Sequence, residues 1–482
     1  MTSPLKIVFL TPGTGGWYCG ACMRDNALAK SLQAAGHAVS LLPMYLPLQL
    51  DEEELISERP APVFFGGINV FLQQKFALFR HTPRWFDRLL DDPRLLRRVA
   101  RHSHMTSARD LGEMTLAMLR LEDSQLGKEL DKLCGWLALE VPDILCLSTA
   151  LQAGMIRELK RRLGVKILCC FQGEDTFLDS LPEPFRAACW SELALRVRDA
   201  DAVVSPSAFY ANLMERRLGA DGLTITVLPN GIDLAGYAPV ADKPGPPVIG
   251  FLARLSRAKG LEVMVDAFIH LRTVLGHPVA SLLLAGAATV EDEALIAVLQ
   301  QRLEAAGVSG QVRWQPNLTR EQKAAMLGAL SVFSVPAIYP EAFGLYVIEA
   351  MACGVPVVQP AVASFPELVG RAGVLVGGEA GTVGAFVRTR PNASDGHRPP
   401  LQVGLARAWF DLLAQPELMR ELGARSRRVA EEFYAVGVMR DRFVALAREV
   451  LGRGAGMLPA ALEASMSDPA RVSAVASRPP TG

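Results

Sequence analysis

Residues 331–358, SVFSVPAIYPEAFGLYVIEAMACGVPVV, decide the fold. An apolar strand runs into a polar loop, then a short helix, then a second apolar strand, which is half of a nucleotide-binding βαβ unit. The loop carries Glu341, and Phe343, Gly344 and Leu345 follow at the helix start. There the backbone N–H groups lack intrahelical acceptors, and together with the positive end of the helix dipole they attract a phosphate. Glu349 comes eight positions after Glu341 with no carboxylate between, so one acid stands on the loop and the other roughly two turns into the helix. The two can grip opposite ends of one ligand.

Working outward, the same alternation of strand and helix fills the second half of the chain. VIGFLARL reads as a strand, SRAKG as a loop, LEVMVDAFIHLRTVL as a helix and SLLLAG as a strand, followed by a helix over 291–306, strand VRWQ and a helix over 320–330. Arg254 leaves the first of these strands and Lys259 closes the loop before the helix, so both can point to the cleft that the Gly344 turn faces. Two cations with backbone donors suit a diphosphate.

The Pro- and Gly-rich stretch 228–248 separates this half from another like it. Lys6–Leu10 is an apolar strand, the loop PGTGGWYCGA follows, and a helix ends near Gly36; Gly15 and Gly16 let backbone approach a ligand closely. PDILCLST and VKILCCF resume the pattern, and the latter runs into Gln172, Glu174 and Asp175, where ligands collect at parallel strand ends. The competing reading is a capped loop, with Asp175 or Asp179 bonding to local backbone. The fold class is α/β, with two facing Rossmann-like doubly wound domains, 1–235 and 246–420, and a cleft between them. An insertion at about 50–140 interrupts the first.

Several features set limits. The 50 basic and 50 acidic residues cancel, which removes any general electrostatic case for nucleic acid. The N-terminus lacks a signal peptide's basic head and long apolar centre, and no apolar run reaches the ~18 residues of a membrane span. The eight cysteines are scattered, mostly in apolar elements, so a cytoplasmic protein is expected. Cys19 and Cys22 form a C-x-x-C at a predicted helix start, a spacing that suits redox chemistry, although no second pair completes a zinc site. Asp199 and Asp201 form a D-x-D at a strand's beginning, the wrong end for a metal site, so no metal ligands are assigned. Between Lys75 and Arg101 eight basic residues face three acids, interleaved with Phe76, Phe79, Trp85 and Phe86. The surrounding stretch 64–104 therefore offers either peripheral membrane contact at the inner membrane face or an ordinary solvated helix face.

The second half resembles the C-terminal domain of family-4 glycosyltransferases, which have the GT-B fold. The resemblance rests on PEAFGLYVIE at 340–349, ARLSRAKG at 253–260, PNGID at 229–233 and the double glycine at 15–16. It implies a retaining glycosyltransferase with a nucleotide-diphosphate sugar as donor substrate, no other cofactor and usually no metal. The acceptor would be a glycan, a lipid or lipid-linked molecule, or a small molecule, bound by the first domain. Glu349 would bind the ribose diol, Glu341 and the backbone at Phe343–Leu345 the transferred sugar, and Arg254 and Lys259 the departing diphosphate. Gln172 stands where many relatives have a histidine, and Gly13 replaces the lysine of glycogen synthases. A helix over 421–453 would cross back to the first domain, and 454–482 reads as a disordered tail. The alternatives are a non-catalytic nucleotide-sugar binder or a membrane-associated scaffold.

Overall fold

A computed structural model describes residues 3–13, 20–46, 55, 63–66, 72, 108–121, 126–219, 222–240, 243, 245–377 and 400–452. Gly15, Gly16, Cys19, most of the basic and aromatic stretch 64–104 and the tail 454–482 lie outside the described residues.

Two parallel sheets organise the chain. The first contains β1 (Lys6–Thr11), β2 (Ala38–Pro43), β3 (Ile144–Leu147), β4 (Lys166–Cys170), β5 (Ala202–Ser205) and β6 (Ile225–Val227), in the order β2-β1-β3-β4-β5-β6. The second contains β7 (Val248–Leu252), β8 (Ser281–Gly286), β9 (Val312–Pro316) and β10 (Val332–Phe333), in the order β10-β7-β8-β9. A parallel pair, β11 (Val358–Pro360) and β12 (Val374–Val376), continues it through a bridge between Phe333 and Val357. Both orders reverse beside the first strand, which opens a crevice at the strands' C-terminal ends. Strands such as ILCL at β3 are buried along their whole length, as helices on both faces require.

Local sequence fixes the helix starts. Thr319 and Gln322 close a capping box on the helix Arg320–Ala329, Thr289 and Asp292 close one on Val290–Ala305, and Ser207 caps Ala208–Leu218. The stretch read as one helix over 421–453 is two, Pro416–Phe433 and Val436–Val450, with Ala435 extended between them. At that break the chain pairs with the linker: Ile232 N–H donates to Tyr434 O at 2.9 Å, and Val436 N–H donates to Ile232 O at 2.8 Å. The last helix then packs against the first sheet, burying Met439, Phe443 and Ala447 with Leu5, Ile7 and Phe9. Phe443 stacks on Phe9 with ring centroids 5.6 Å apart.

The sheets face one another across a cleft and touch beside it. Ser207 Oγ donates to Ala342 O at 2.7 Å. The Glu367 carboxylate accepts the N–H groups of Ala208, at 2.9 Å, and Phe209, at 2.5 Å, so a side chain of the second half caps a helix of the first. Among the described residues no helix is long and apolar enough to cross a membrane.

Candidate functional site

The cleft holds about 940 Å³ and is lined from both sheets. Gln172, Arg254, Lys259, Glu341, Phe343, Gly344, Leu345 and Glu349 all line it, as does Glu174, while Asp175 does not. Gly344 has φ +100°, a left-handed turn that aims the start of the helix Leu345–Ala352 at the cleft and strains any other residue. Gly260, at φ +76°, seats the Lys259 loop: a Cβ there would stand 1.8 Å from Pro336 O. Phe343 contributes backbone only, since its ring is buried against Tyr434 at a centroid distance of 5.9 Å.

Two networks, one around each glutamate, build the second sheet's wall. Glu341 Oε2 accepts from Lys259 Nζ at 2.5 Å, Tyr339 Oη at 2.7 Å and Tyr346 Oη at 2.6 Å. Lys259 also donates to Tyr339 Oη and lies over both rings, 4.8 and 5.1 Å from their centroids. Burial, and then the Glu341 charge, push both tyrosine hydroxyls far above their ordinary value, which keeps them neutral donors. Glu349 Oε1 accepts from Lys323 Nζ at 2.7 Å and Tyr237 Oη at 3.0 Å. Because the helix begins at Leu345, Glu349 sits about one turn into it, not two. Between the networks, Arg254 Nε donates to Asp292 Oδ2 at 3.0 Å and Nη2 to Thr289 Oγ1 at 3.1 Å. Burial raises the Asp292 carboxyl, but the Thr289 N–H and hydroxyl and then Arg254 outweigh it and hold it below the usual range.

On the first sheet's side the loop after β4 is fixed by its own acids. Glu174 Oε1 accepts from Thr149 Oγ1 at 2.8 Å and Ala150 N–H at 3.0 Å, while Oε2 accepts from Gln172 N–H at 2.8 Å and Gly173 N–H at 3.1 Å. Tyr210 Oη donates to Asp175 Oδ1 at 2.9 Å. The acid that caps this loop is therefore Glu174, not Asp175 or Asp179: Asp175 is held by the Tyr210 side chain, and Asp179 by Trp190 Nε1 at 3.0 Å and Arg217. Asp201 is likewise occupied, by Ile167 N–H at 2.9 Å, Lys166 at 2.9 Å and Lys160 at 3.1 Å. Cys22 is buried with its sulfur 3.6 Å from Thr11 Oγ1. Among the described residues no three His, Cys, Asp or Glu side chains gather as metal ligands.

Sequence reasoning missed Lys323, Tyr237, Tyr339, Tyr346, Thr289 and Asp292. One signal was available: Lys323 falls in the buried stripe of its helix with Met326 and Leu327, where a lysine needs a partner.

Comparison with known proteins finds two family models on this chain. The family model described as Glycosyl transferases group 1 covers residues 238–385, and that described as Glycosyl transferase 4-like domain covers residues 24–231. The chain belongs to the group 1 glycosyl transferases. Among curated members, the D-inositol 3-phosphate glycosyltransferase of Streptomyces bingchenggensis is 28% identical over 276 residues, 52% of this chain and 53% of that one. The alpha-maltose-1-phosphate synthase of Mycolicibacterium smegmatis is 30% identical over 271 residues, 52% of this chain and 63% of that one. The chain thus spans between about half and two thirds of these relatives' length. Among solved structures, sucrose-phosphate synthase from Thermosynechococcus elongatus superposes with TM-score 0.66 at 20% identity, covering 93% of this chain and 99% of that one. Anabaena HepE, solved with UDP and glucose, superposes with TM-score 0.59 at 16% identity, covering 92% and 100%. The fold of this family member is therefore GT-B.

Proposed function

We propose that the chain transfers a sugar from a nucleotide-diphosphate sugar to an acceptor hydroxyl, with retention of anomeric configuration and without a metal ion. One observation carries this reading: Arg254, Lys259, Glu341, the start of the Leu345 helix and Glu349 converge on a single cleft. The curated relatives bear the names of a glycosyltransferase and a synthase of a sugar phosphate, which supports the same class.

In this reading Glu349, held by Lys323 and Tyr237, receives the ribose hydroxyls. The diphosphate lies against Arg254, Lys259 and the N–H groups at Gly344 and Leu345. Glu341, steadied by two tyrosines, faces the hydroxyls of the sugar that moves. As the bond from the anomeric carbon to the β-phosphate oxygen breaks, positive charge grows on the carbon and negative charge on the oxygen. The cations and helix donors are already oriented for the second, so little reorganisation accompanies the step. The acceptor oxygen bonds to the same face, and its proton passes to the departing phosphate oxygen, giving a nucleoside diphosphate and a glycoside. Two side-chain cations and a helix terminus supply the charge that a metal would otherwise supply.

The test incubates purified protein with UDP-, GDP- and ADP-glucose and an acceptor mixture, follows nucleoside diphosphate release, and reads the product anomer by proton NMR. The expected result is release with one donor, an unchanged α configuration, and activity that persists in EDTA. An inverted product removes the retaining mechanism. Absence of release with every donor, together with no thermal stabilisation by any nucleoside diphosphate, removes the assignment.

A further inference from the structure

The cleft has two unlike walls. The second sheet contributes Arg254, Lys259, Lys323, Glu341 and Glu349. Opposite them, the first half contributes Leu111, Met114, Met118, Leu151 and Phe177 beside the polar Thr149, Gln172 and Glu174, and among its described lining residues there is no lysine or arginine.

The apolar surface is built by spacing. Leu111, Met114 and Met118 fall at i, i+3 and i+7 of the helix Ala108–Leu119, which is one face of a helix. Another residue of that helix is spoken for elsewhere, since a Cβ at Gly112 would lie 2.8 Å from the Phe185 side chain. Thr115, which lines the cleft among the three, donates its hydroxyl to Leu111 O at 2.8 Å, so its polar group is already used within the helix. Leu111 is 38% exposed although it is apolar, and it opens into this cleft. In the linker, Asn230 lines the same cavity at 4% exposure, and its Oδ1, turned inward, has no hydrogen-bond partner. A small rotation of the amide toward the cavity gives that oxygen an O–H or N–H donor from a ligand.

Seated on the Leu111–Met114–Met118 face, a phosphorylated acceptor, such as the D-inositol 3-phosphate named for several relatives, would set a dianion against methionine, leucine and phenylalanine. We propose that the acceptor is a neutral alcohol carrying an aliphatic chain, with the chain along the Leu111–Met114–Met118 face and a hydroxyl donating to Asn230. This rests on the transferase reading above and names the substrate class of the same site. Methionine's unbranched, adaptable side chain suits a linear alkyl group better than a rigid ring face would. Burial of each CH₂ against this face is worth up to about fourfold in kcat/KM.

The experiment uses the full chain and n-alkyl β-D-glucosides from methyl to octyl, kept below micellar concentrations, with inositol 3-phosphate as the charged competitor. The donor is whichever nucleotide sugar releases nucleoside diphosphate. kcat/KM is expected to rise steadily from methyl to octyl, by 100-fold or more across the series, with inositol 3-phosphate poorer than octyl glucoside. In Leu111→Lys and Met114→Glu the rise should flatten by tenfold or more at octyl, while thermal stabilisation by the nucleoside diphosphate stays unchanged, which also shows that both variants fold. Asn230→Ala should lower kcat/KM for every chain length alike. No dependence on chain length, or a preference for inositol 3-phosphate, overturns the proposal while leaving the transferase reading intact. If no nucleoside diphosphate binds or is released, the transferase reading fails and this one with it.

Discussion

The cleft's two walls meet a ligand in opposite ways. On the second sheet's side every named charge is held before any ligand arrives: Lys259 on Glu341, Lys323 on Glu349, Arg254 on Asp292. On the first sheet's side the described lining includes an apolar helix face, Leu111, Met114 and Met118, on which Thr115 has spent its hydroxyl inside its own helix. A charged network is all-or-nothing, because removing one member leaves its partner buried and unpaired. An apolar face is graded, because each methylene contributes separately. The polar wall should therefore tolerate no substitution quietly, and the apolar wall should tolerate most of them at a proportionate loss.

The sharpest way to break this contrast is Glu349→Ala. Lys323 and Glu349 are only 10% and 7% exposed, so the variant strands a buried ammonium and should destabilise the fold by about 3–5 kcal/mol. Urea unfolding measures this, and the double variant Glu349→Leu with Lys323→Met should recover most of the stability without recovering nucleotide binding. An unchanged midpoint in the single variant would mean that the pair is not the locked unit described above.

Next in size is Lys259→Ala, expected to lower the transfer rate by about 10²–10³, or about 3–4 kcal/mol of barrier, as for loss of an oriented donor to developing charge. Most of the loss should fall in kcat, and an equal loss in nucleoside diphosphate affinity would make Lys259 a binding residue only.

A smaller effect concerns Asp292, whose carboxyl is held below its usual 3.8. A depressed carboxylate contributes stability that is present above the unfolded value, about 4, and is lost as pH falls through the lower folded value. Wild-type stability should therefore drop below about pH 4, and Asp292→Asn should flatten that drop while costing about 1 kcal/mol at pH 7 through the loosened Arg254. Parallel pH profiles for the two proteins would remove the electrostatic account.

Least of all, Glu367→Ala should cost about 1 kcal/mol, the ordinary worth of a helix cap. Small-angle scattering of this variant should show a slightly larger radius of gyration, since the cap is shared between the two halves.

How much of this was legible follows the same division. The unit around Glu341 and Glu349, and the loop holding Arg254 and Lys259, are local: glycines, spacing and apolar runs within about a dozen residues encode them. Their partners are not local. Tyr237 lies in the linker, 112 positions before the Glu349 it donates to, and Lys259 is 82 positions before Glu341. Only sheet order brings such residues together. The break at Ala435 was marked only weakly in VAEEFYAVGVMRDRF, by Gly437 and its flanking valines, and it is the bridge to Ile232 that extends the backbone there. The apolar wall was illegible because Leu111, Met114 and Met118 have the periodicity of any core-facing helix.

The return of the chain at Ile232 and Ala435 means that the two halves are tied by two covalent passages lying side by side. A protease that nicked the stretch around residue 240 would not release a free lobe, because the Val436–Val450 helix remains clamped on the opposite sheet beside Phe9. Swinging of one half against the other must pivot on that double strap, and the cleft's outer lip, farthest from it, travels the greatest distance.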